Sequence, residues 1–143
     1  MPRRSTQREV RLTLWLRATP AKVWKALTDE RQLARWYTRA HQHDLRKGGN
    51  WAFRVGQSTG RVLALRRNKL LAHSQKDDPK YPNMRIEYSI EKMGKVTVLK
   101  IRHSGFGKNK MVYDCWAGAW PSFSCNLKTL LETGAPLWEG SWS

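Results

Sequence analysis

His41 and His43 are the first residues whose types and spacing could support chemistry. In an extended segment they would share one face, with Asp44 beside them. A His-x-His pair can bind a transition metal, but two ligands without a third leave such a site incomplete. A solvated edge strand is the simpler interpretation of this segment, and we expect neither a metal nor a cofactor.

His103 is a second candidate, because it follows Leu99 and Ile101 on one face of a predicted strand. A buried imidazole there could orient a ligand or act as an acid–base group, but a hydrogen-bonded structural histidine is the simpler interpretation. Asp114 and Cys115 would complete a nucleophilic set only if the fold brought them to His103, which their spacing does not indicate. The sequence contains no nucleophile elbow, phosphate-binding glycine loop or paired catalytic carboxylates. The case for an enzyme is therefore weak.

The chain is strongly basic, with 27 Lys and Arg against 11 Asp and Glu and a formal charge of +16. Arg61, Arg66 and Arg67 are expected to cluster around one strand end, where cations could bind phosphates by counterion release. No nucleic-acid-binding motif accompanies them. A nucleic-acid or polyanion partner is therefore an alternative to a solvated basic surface.

The residues before position 40 predict one strand followed by two short helices. Val10 to Leu16 alternate between apolar and polar side chains, which is typical of a half-buried strand. Thr19 and Pro20 have the types that begin a helix, and Asp29 can cap a second helix over residues 30–37.

The rest of the chain predicts an antiparallel meander and a final helix. Turns at short intervals between residues 40 and 105 indicate strands with one packed face, and Gly48-Gly49 suits a sharp connection with positive φ. Apolar residues from Trp120 onward recur at helical spacing until Gly134. Large aromatic side chains, above all Trp24, Trp36, Trp51 and Trp120, are expected to fill the interior.

Four segments in this order resemble one family. They are residues 18–29 (ATPAKVWKALTD), 33–37 (LARWY), 44–53 (DLRKGGNWAF), and 97–106 (TVLKIRHSGF) with Trp120 and 126–134 (NLKTLLETG). The chain is similar to START-like, polyketide-cyclase-like (SRPBCC) domains, and within them to the family named for the activator of Hsp90 ATPase, in its bacterial stand-alone form. The likeness spans residues 9–134, between a basic extension at 1–8 and an irregular tail at 135–143.

The resemblance implies an α+β helix-grip fold, in which a curved antiparallel sheet wraps around a long C-terminal helix. It also implies a cavity, often apolar, between the sheet and that helix. Periodicity selects the candidate lining, although the same side chains could pack as a solid core. These candidates are Trp51, Phe53, Ile86, Tyr88, Leu99, Ile101, His103, Phe123 and Leu127.

We therefore expect a non-enzymatic domain that binds a small apolar ligand in that cavity, or a protein partner or second copy in the manner of an Hsp90 activator. The alternatives are a basic polyanion-binding module, or a cyclase- or hydrolase-type enzyme that uses His103. No apolar run reaches the length of a membrane span, and the N-terminus lacks the pattern of a signal peptide. With Cys115 and Cys125 as its two cysteines, the chain is expected in the reducing cytoplasm.

Overall fold

The computed structural model describes residues 8–53, 58–76 and 82–138, which form strands and helices in the expected order. The strands are β1 (Val10–Leu16), β2 (Ala40–His43), β3 (Asn50–Phe53), β4 (Thr59–Arg66), β5 (Leu70–Gln75), β6 (Met84–Met93) and β7 (Val96–Ser104). The helices are α1 (Pro20–Thr28), α2 (Glu30–Trp36) and α3 (Lys110–Thr133). Residues 1–7 and 139–143, which hold most of the two expected extensions, lie outside the described residues.

The strands form one antiparallel sheet in the order β1-β7-β6-β5-β4-β3-β2. Sequential strands are neighbours except β1, which pairs with β7 from Val10 opposite His103 to Leu16 opposite Thr97. Register shifts in β2 and β4 mark irregularities of the kind that bend a strand. The sheet curves around α3, so the predicted α+β helix-grip fold is confirmed.

The helix ends follow from local capping. Thr19 Oγ1 accepts a hydrogen bond from Lys22 N–H at 3.2 Å, and Asp29 Oδ1 accepts from Arg31 N–H at 2.9 Å, as expected. Helix α3 begins at Lys110, ten residues before the apolar run that indicated it, and it continues through Pro121. No described helix is long and apolar enough to cross a membrane.

Aromatic side chains occupy the interior as the sequence predicts. Trp24, Trp36, Trp51 and Trp120 are all buried. Tyr37 stacks against Trp36 and Trp120, with ring centroids 5.2 Å and 6.0 Å away. These large rings supply apolar contact area that aliphatic residues supply in most domains.

The two glycines of the β2–β3 connection have different roles. Gly48 has a φ of +82°, as expected for a sharp turn. Gly49 does not need positive φ; a Cβ atom there would overlap the backbone carbonyl oxygen of Asp44. The expectation of positive φ is therefore wrong for Gly49, where a close backbone contact requires glycine.

Candidate functional site

A small cavity lies where α1, α2 and the β2–β3 connection cover strands β3 to β6. Its volume is about 20 Å³, which is room for about one water molecule. Mostly apolar side chains surround it: Leu27, Leu33, His43, Leu45, Trp51, Phe53, Val62, Leu71, His73 and Tyr88. Trp51, Phe53 and Tyr88, which the sequence predicted as lining, border this cavity.

The six other predicted lining residues are also buried but do not border this cavity. They are Ile86, Leu99, Ile101, His103, Phe123 and Leu127. Tyr37 contacts Phe123 edge-on, with ring centroids 4.8 Å apart, and stacks on Trp120. Aromatic rings therefore fill the interior around Phe123.

Strand β5 supplies His73, which the sequence reasoning missed. Its neighbours across the sheet are Val62 on β4 and Ile86 on β6, both buried. The alternation of Leu71, His73 and Gln75 on β5 places all three on the packed face. That period-two pattern was the signal that could have found His73.

Two ring nitrogens beside the cavity lack partners. His43 Nε2 lies 2.6 Å from the Thr28 carbonyl oxygen, and it donates because a carbonyl only accepts. His43 Nδ1 and Trp51 Nε1 are buried, and neither has a hydrogen-bond partner among the described residues. Unsatisfied polar atoms of this kind are uncommon in folded proteins and call for a physical explanation.

The titratable groups deepest in the cavity wall are uncharged at neutral pH. Burial, with a smaller contribution from nearby His43, lowers the pKa of His73 to about 4, although His73 Nδ1–H donates to the Ser74 carbonyl at 3.1 Å, which acts in the opposite direction. Burial also raises the pKa of the Tyr88 hydroxyl well above its usual range. These surroundings favour a neutral ligand over an ionic one.

Leu45 is the most exposed of the residues that border the cavity, with 37 % of its residue surface exposed. Leu45 lies on the β2–β3 connection and borders the cavity together with Leu27 of α1 and Leu33 of α2. A molecule larger than water would need these side chains to move before it could enter. The two short helices and the β2–β3 connection therefore form the cover of the cavity.

His103 lies elsewhere in the interior. Trp120 Nε1–H donates to His103 Nδ1 at 3.0 Å, and the imidazole packs against Phe106 and Trp116 at 4.7 Å and 5.1 Å between centroids. Burial lowers the pKa of His103 to about 3. This environment agrees with the structural interpretation of His103.

Asp114 and Cys115 do not join His103. Asp114 pairs with Lys110 at 2.6 Å on the exposed side of α3, and Cys115 is also exposed. His103 is fully buried. The fold therefore does not assemble a Cys-His-Asp set from these residues.

The family model described as "Activator of Hsp90 ATPase homolog 1-like protein" matches residues 17–132. The chain belongs to this family. Its match covers α1, α2, strands β2 to β7 and all but the last residue of α3, including every residue around the cavity. A comparison with curated proteins finds no match.

Solved structures similar to this chain share its fold. CalU16 from Micromonospora echinospora is 25 % identical with a TM-score of 0.78, over 91 % of this chain and 69 % of that one. An HSP90 activator from Plasmodium falciparum, PFC0360w, is 19 % identical with a TM-score of 0.72, over 86 % and 95 %. The Aha1 dimer from Colwellia psychrerythraea is 22 % identical with a TM-score of 0.73, over 88 % and 97 %.

No metal centre is found in the described part of this family member. No three His, Cys, Asp or Glu side chains there lie close enough together to hold an ion. His43 instead donates a hydrogen bond to the Thr28 carbonyl. The structure does not describe the side chain of His41.

The predicted arginine cluster is not a single cluster. Arg61 lies near the start of β4, whereas Arg66 ends the strand and Arg67 follows in the turn. Arg66 follows Arg61 by five positions along the strand, a distance of roughly 16 Å. The expectation that all three surround one strand end is therefore wrong, because they belong to opposite ends of β4.

Proposed function

We propose that this chain is a non-enzymatic binding domain for a small, neutral and largely apolar ligand. The proposed site is the cavity beside Trp51, Phe53 and Tyr88. The observation that supports it most directly is the buried Trp51 Nε1, which has no hydrogen-bond partner among the described residues and lies in a mostly apolar wall. Ligand sites commonly combine apolar walls with a few polar groups that fix orientation.

The chemistry of the wall narrows the ligand class. Trp51 Nε1–H can only donate, and His43 Nδ1 accepts in a neutral ring because Nε2 carries the proton. One hydroxyl group could accept from Trp51 and donate to His43. An aromatic or alicyclic alcohol, with its ring against Phe53, fits both requirements.

Such a ligand must displace the cover, because a volume of about 20 Å³ holds little more than one water. We infer that Leu33 and Leu45 move outward when it binds. Part of the binding free energy is then spent on opening the cover, which favours modest affinity.

A panel of neutral phenols and cyclohexanols, each with its matched hydrocarbon, tests the proposal. Ligand-observed NMR on the full chain should detect the alcohols, and Trp51→Phe should weaken their binding about tenfold, the value of one hydrogen bond. Trp51→Phe should change the binding of the hydrocarbons little. The matched control is Trp15→Phe, the same substitution at an exposed tryptophan. Equal losses for alcohols and hydrocarbons, or no binding by either, would contradict the proposal.

A protein partner or a second copy of the chain is the second candidate. It is favoured by the family match and by similar structures described as an HSP90 activator and as an Aha1 dimer. Light scattering across a hundredfold concentration range would detect self-association. Stimulation of an Hsp90 ATPase by the full chain would support the activator role, and no stimulation would remove it.

We also propose that residues 9–134 are the binding domain and that it works in the cytoplasm. The two cysteines, Cys115 and Cys125, are free thiols in the structure. Free thiols are typical of reducing compartments.

A further inference from the structure

One end of the sheet collects basic side chains from three separate parts of the chain. We call these seven residues the basic rim. They are Arg17 and Lys22 around the β1–α1 connection, Arg66, Arg67 and Lys69 at the β4–β5 turn, and Lys92 and Lys95 at the β6–β7 hairpin.

Antiparallel topology brings the three segments together. Strands β1, β4 and β6 all finish at this end of the sheet. The Ile90 N–H donates to the Lys69 carbonyl at 2.9 Å, and this hydrogen bond joins the β4–β5 turn to β6. A groove of about 880 Å³ separates the β1–α1 connection from the hairpin. Four rim cations line this groove: Arg17, Lys22, Lys92 and Lys95.

Little of the positive charge of the rim is neutralised locally, although the Glu132 carboxylate interacts electrostatically with Arg17. All seven side chains are exposed, and none forms a salt bridge with another described residue. Among the residues that the structure describes, no acidic side chain lines the groove. Of the nearest acids, Glu91 is exposed, and Glu132 is engaged by Lys128 at 2.8 Å and by the Arg17 backbone N–H.

An exposed aromatic residue lies beside the cations. Trp15 is 55 % exposed and precedes Arg17 by two residues on the strand that enters the groove. Exposed tryptophan faces can stack on unpaired bases, whichever base is present. Neither Trp15 nor any rim cation borders the cavity beside Trp51.

We propose that the basic rim binds single-stranded nucleic acid, with the cations along its phosphates and Trp15 stacked on a base. The rim crosses five neighbouring strands, from β4 to β1, and so spans about 19 Å. A row of cations of that length suits several consecutive phosphates. Trp15 favours an unpaired strand over a duplex, whose bases are already stacked.

Fluorescence anisotropy with labelled twelve-nucleotide dT and rU oligomers tests the rim, using the full chain from 50 to 300 mM NaCl. The logarithm of the affinity should fall with the logarithm of the salt concentration, by about 0.7 for each phosphate contacted. Lys92→Glu with Lys95→Glu should lower affinity at least tenfold and flatten this slope. Trp15→Ala should lower affinity about tenfold and leave the slope unchanged.

The matched control carries Arg31→Glu and Lys108→Glu, which make the same charge change at exposed positions outside the rim. It should retain most of the affinity. Equal losses in the control and rim variants would overturn the proposal, since net charge alone would then explain binding. So would absent binding at 50 mM NaCl, or equally tight binding of polyglutamate or of phosphatidylserine vesicles.

Discussion

The indole Nε1–H of Trp120 donates a hydrogen bond to Nδ1 of His103 over 3.0 Å, in the interior between α3 and β7. Because Nδ1 accepts, the ring proton of His103 lies on Nε2. The bond ties the long helix to the sheet at a point where both side chains are fully buried. It gives His103 a definite structural role.

Trp120→Phe should lower the free energy of unfolding by about 3 kcal/mol, because it leaves His103 Nδ1 without its donor and opens a void. Urea denaturation at pH 7 measures the change. A double-mutant cycle with His103→Leu should give a coupling of about 1 kcal/mol. A coupling near zero would mean that the hydrogen bond contributes nothing beyond packing.

Acid should destabilise the protein through its two buried histidines. The pKa values of His73 and His103 are lowered to about 4 and about 3 in the folded chain, against 6.5 for an ordinary histidine. Below pH 6.5 the unfolded chain therefore binds protons that the folded chain does not, so stability present above pH 6.5 is lost as the pH falls. Each histidine should remove about 1.4 kcal/mol per pH unit from the free energy of unfolding.

Urea denaturation at a series of pH values checks this, with a fall of about 4 kcal/mol expected between pH 7 and pH 5. His103→Leu should reduce the pH slope by about half, since it removes one of the two groups. A flat profile between pH 7 and pH 5 would show that these imidazoles are not held neutral by burial.

Asn126 should hold the segment after α3 in place. Its Nδ2 donates to the Trp138 carbonyl at 2.9 Å, and its Oδ1 accepts from Leu137 N–H at 2.7 Å. Asn126→Ala should destabilise the chain by about 3 kcal/mol, because it removes several hydrogen bonds that the buried amide makes to part-buried backbone groups. Hydrogen exchange of the Leu137 and Trp138 amides should accelerate, while the exposed neighbour Cys125→Ala should leave both unchanged.

Gly60→Ala and Gly118→Ala should have opposite effects. A Cβ atom at Gly60 would overlap the Ser74 carbonyl oxygen and lie 2.8 Å from Trp51 Cε2, so this change should cost about 3 kcal/mol and disturb the cavity wall. A Cβ atom at Gly118, inside α3, meets no neighbour within 4 Å. Gly118→Ala should therefore raise stability by about 1 kcal/mol, measured by thermal unfolding. Similar effects at both positions would contradict this reading.

The features that depend on nearby residues were predictable. Thr19 and Asp29 are recognisable as helix caps because each side chain accepts a hydrogen bond from a backbone amide only two or three residues further along the chain. The alternation of β1 and the buried tryptophans follow from local periodicity. The apolar residues from Trp120 onward predict only the second half of α3, although Val112 and Trp116 continue the same face towards its start.

The sequence by itself determined the order of the elements, the inward faces of the strands and the family likeness. Each of these depends on the spacing of residues that are close together in the chain. Only the tertiary structure decided that His73 borders the cavity and that His103 bonds to Trp120 instead. Both histidines face inward, and the difference arises from strand order and from the aromatic rings packed between sheet and helix. The basic rim has the same origin, since residues as distant as Arg17 and Lys95 meet only when β1 pairs with β7.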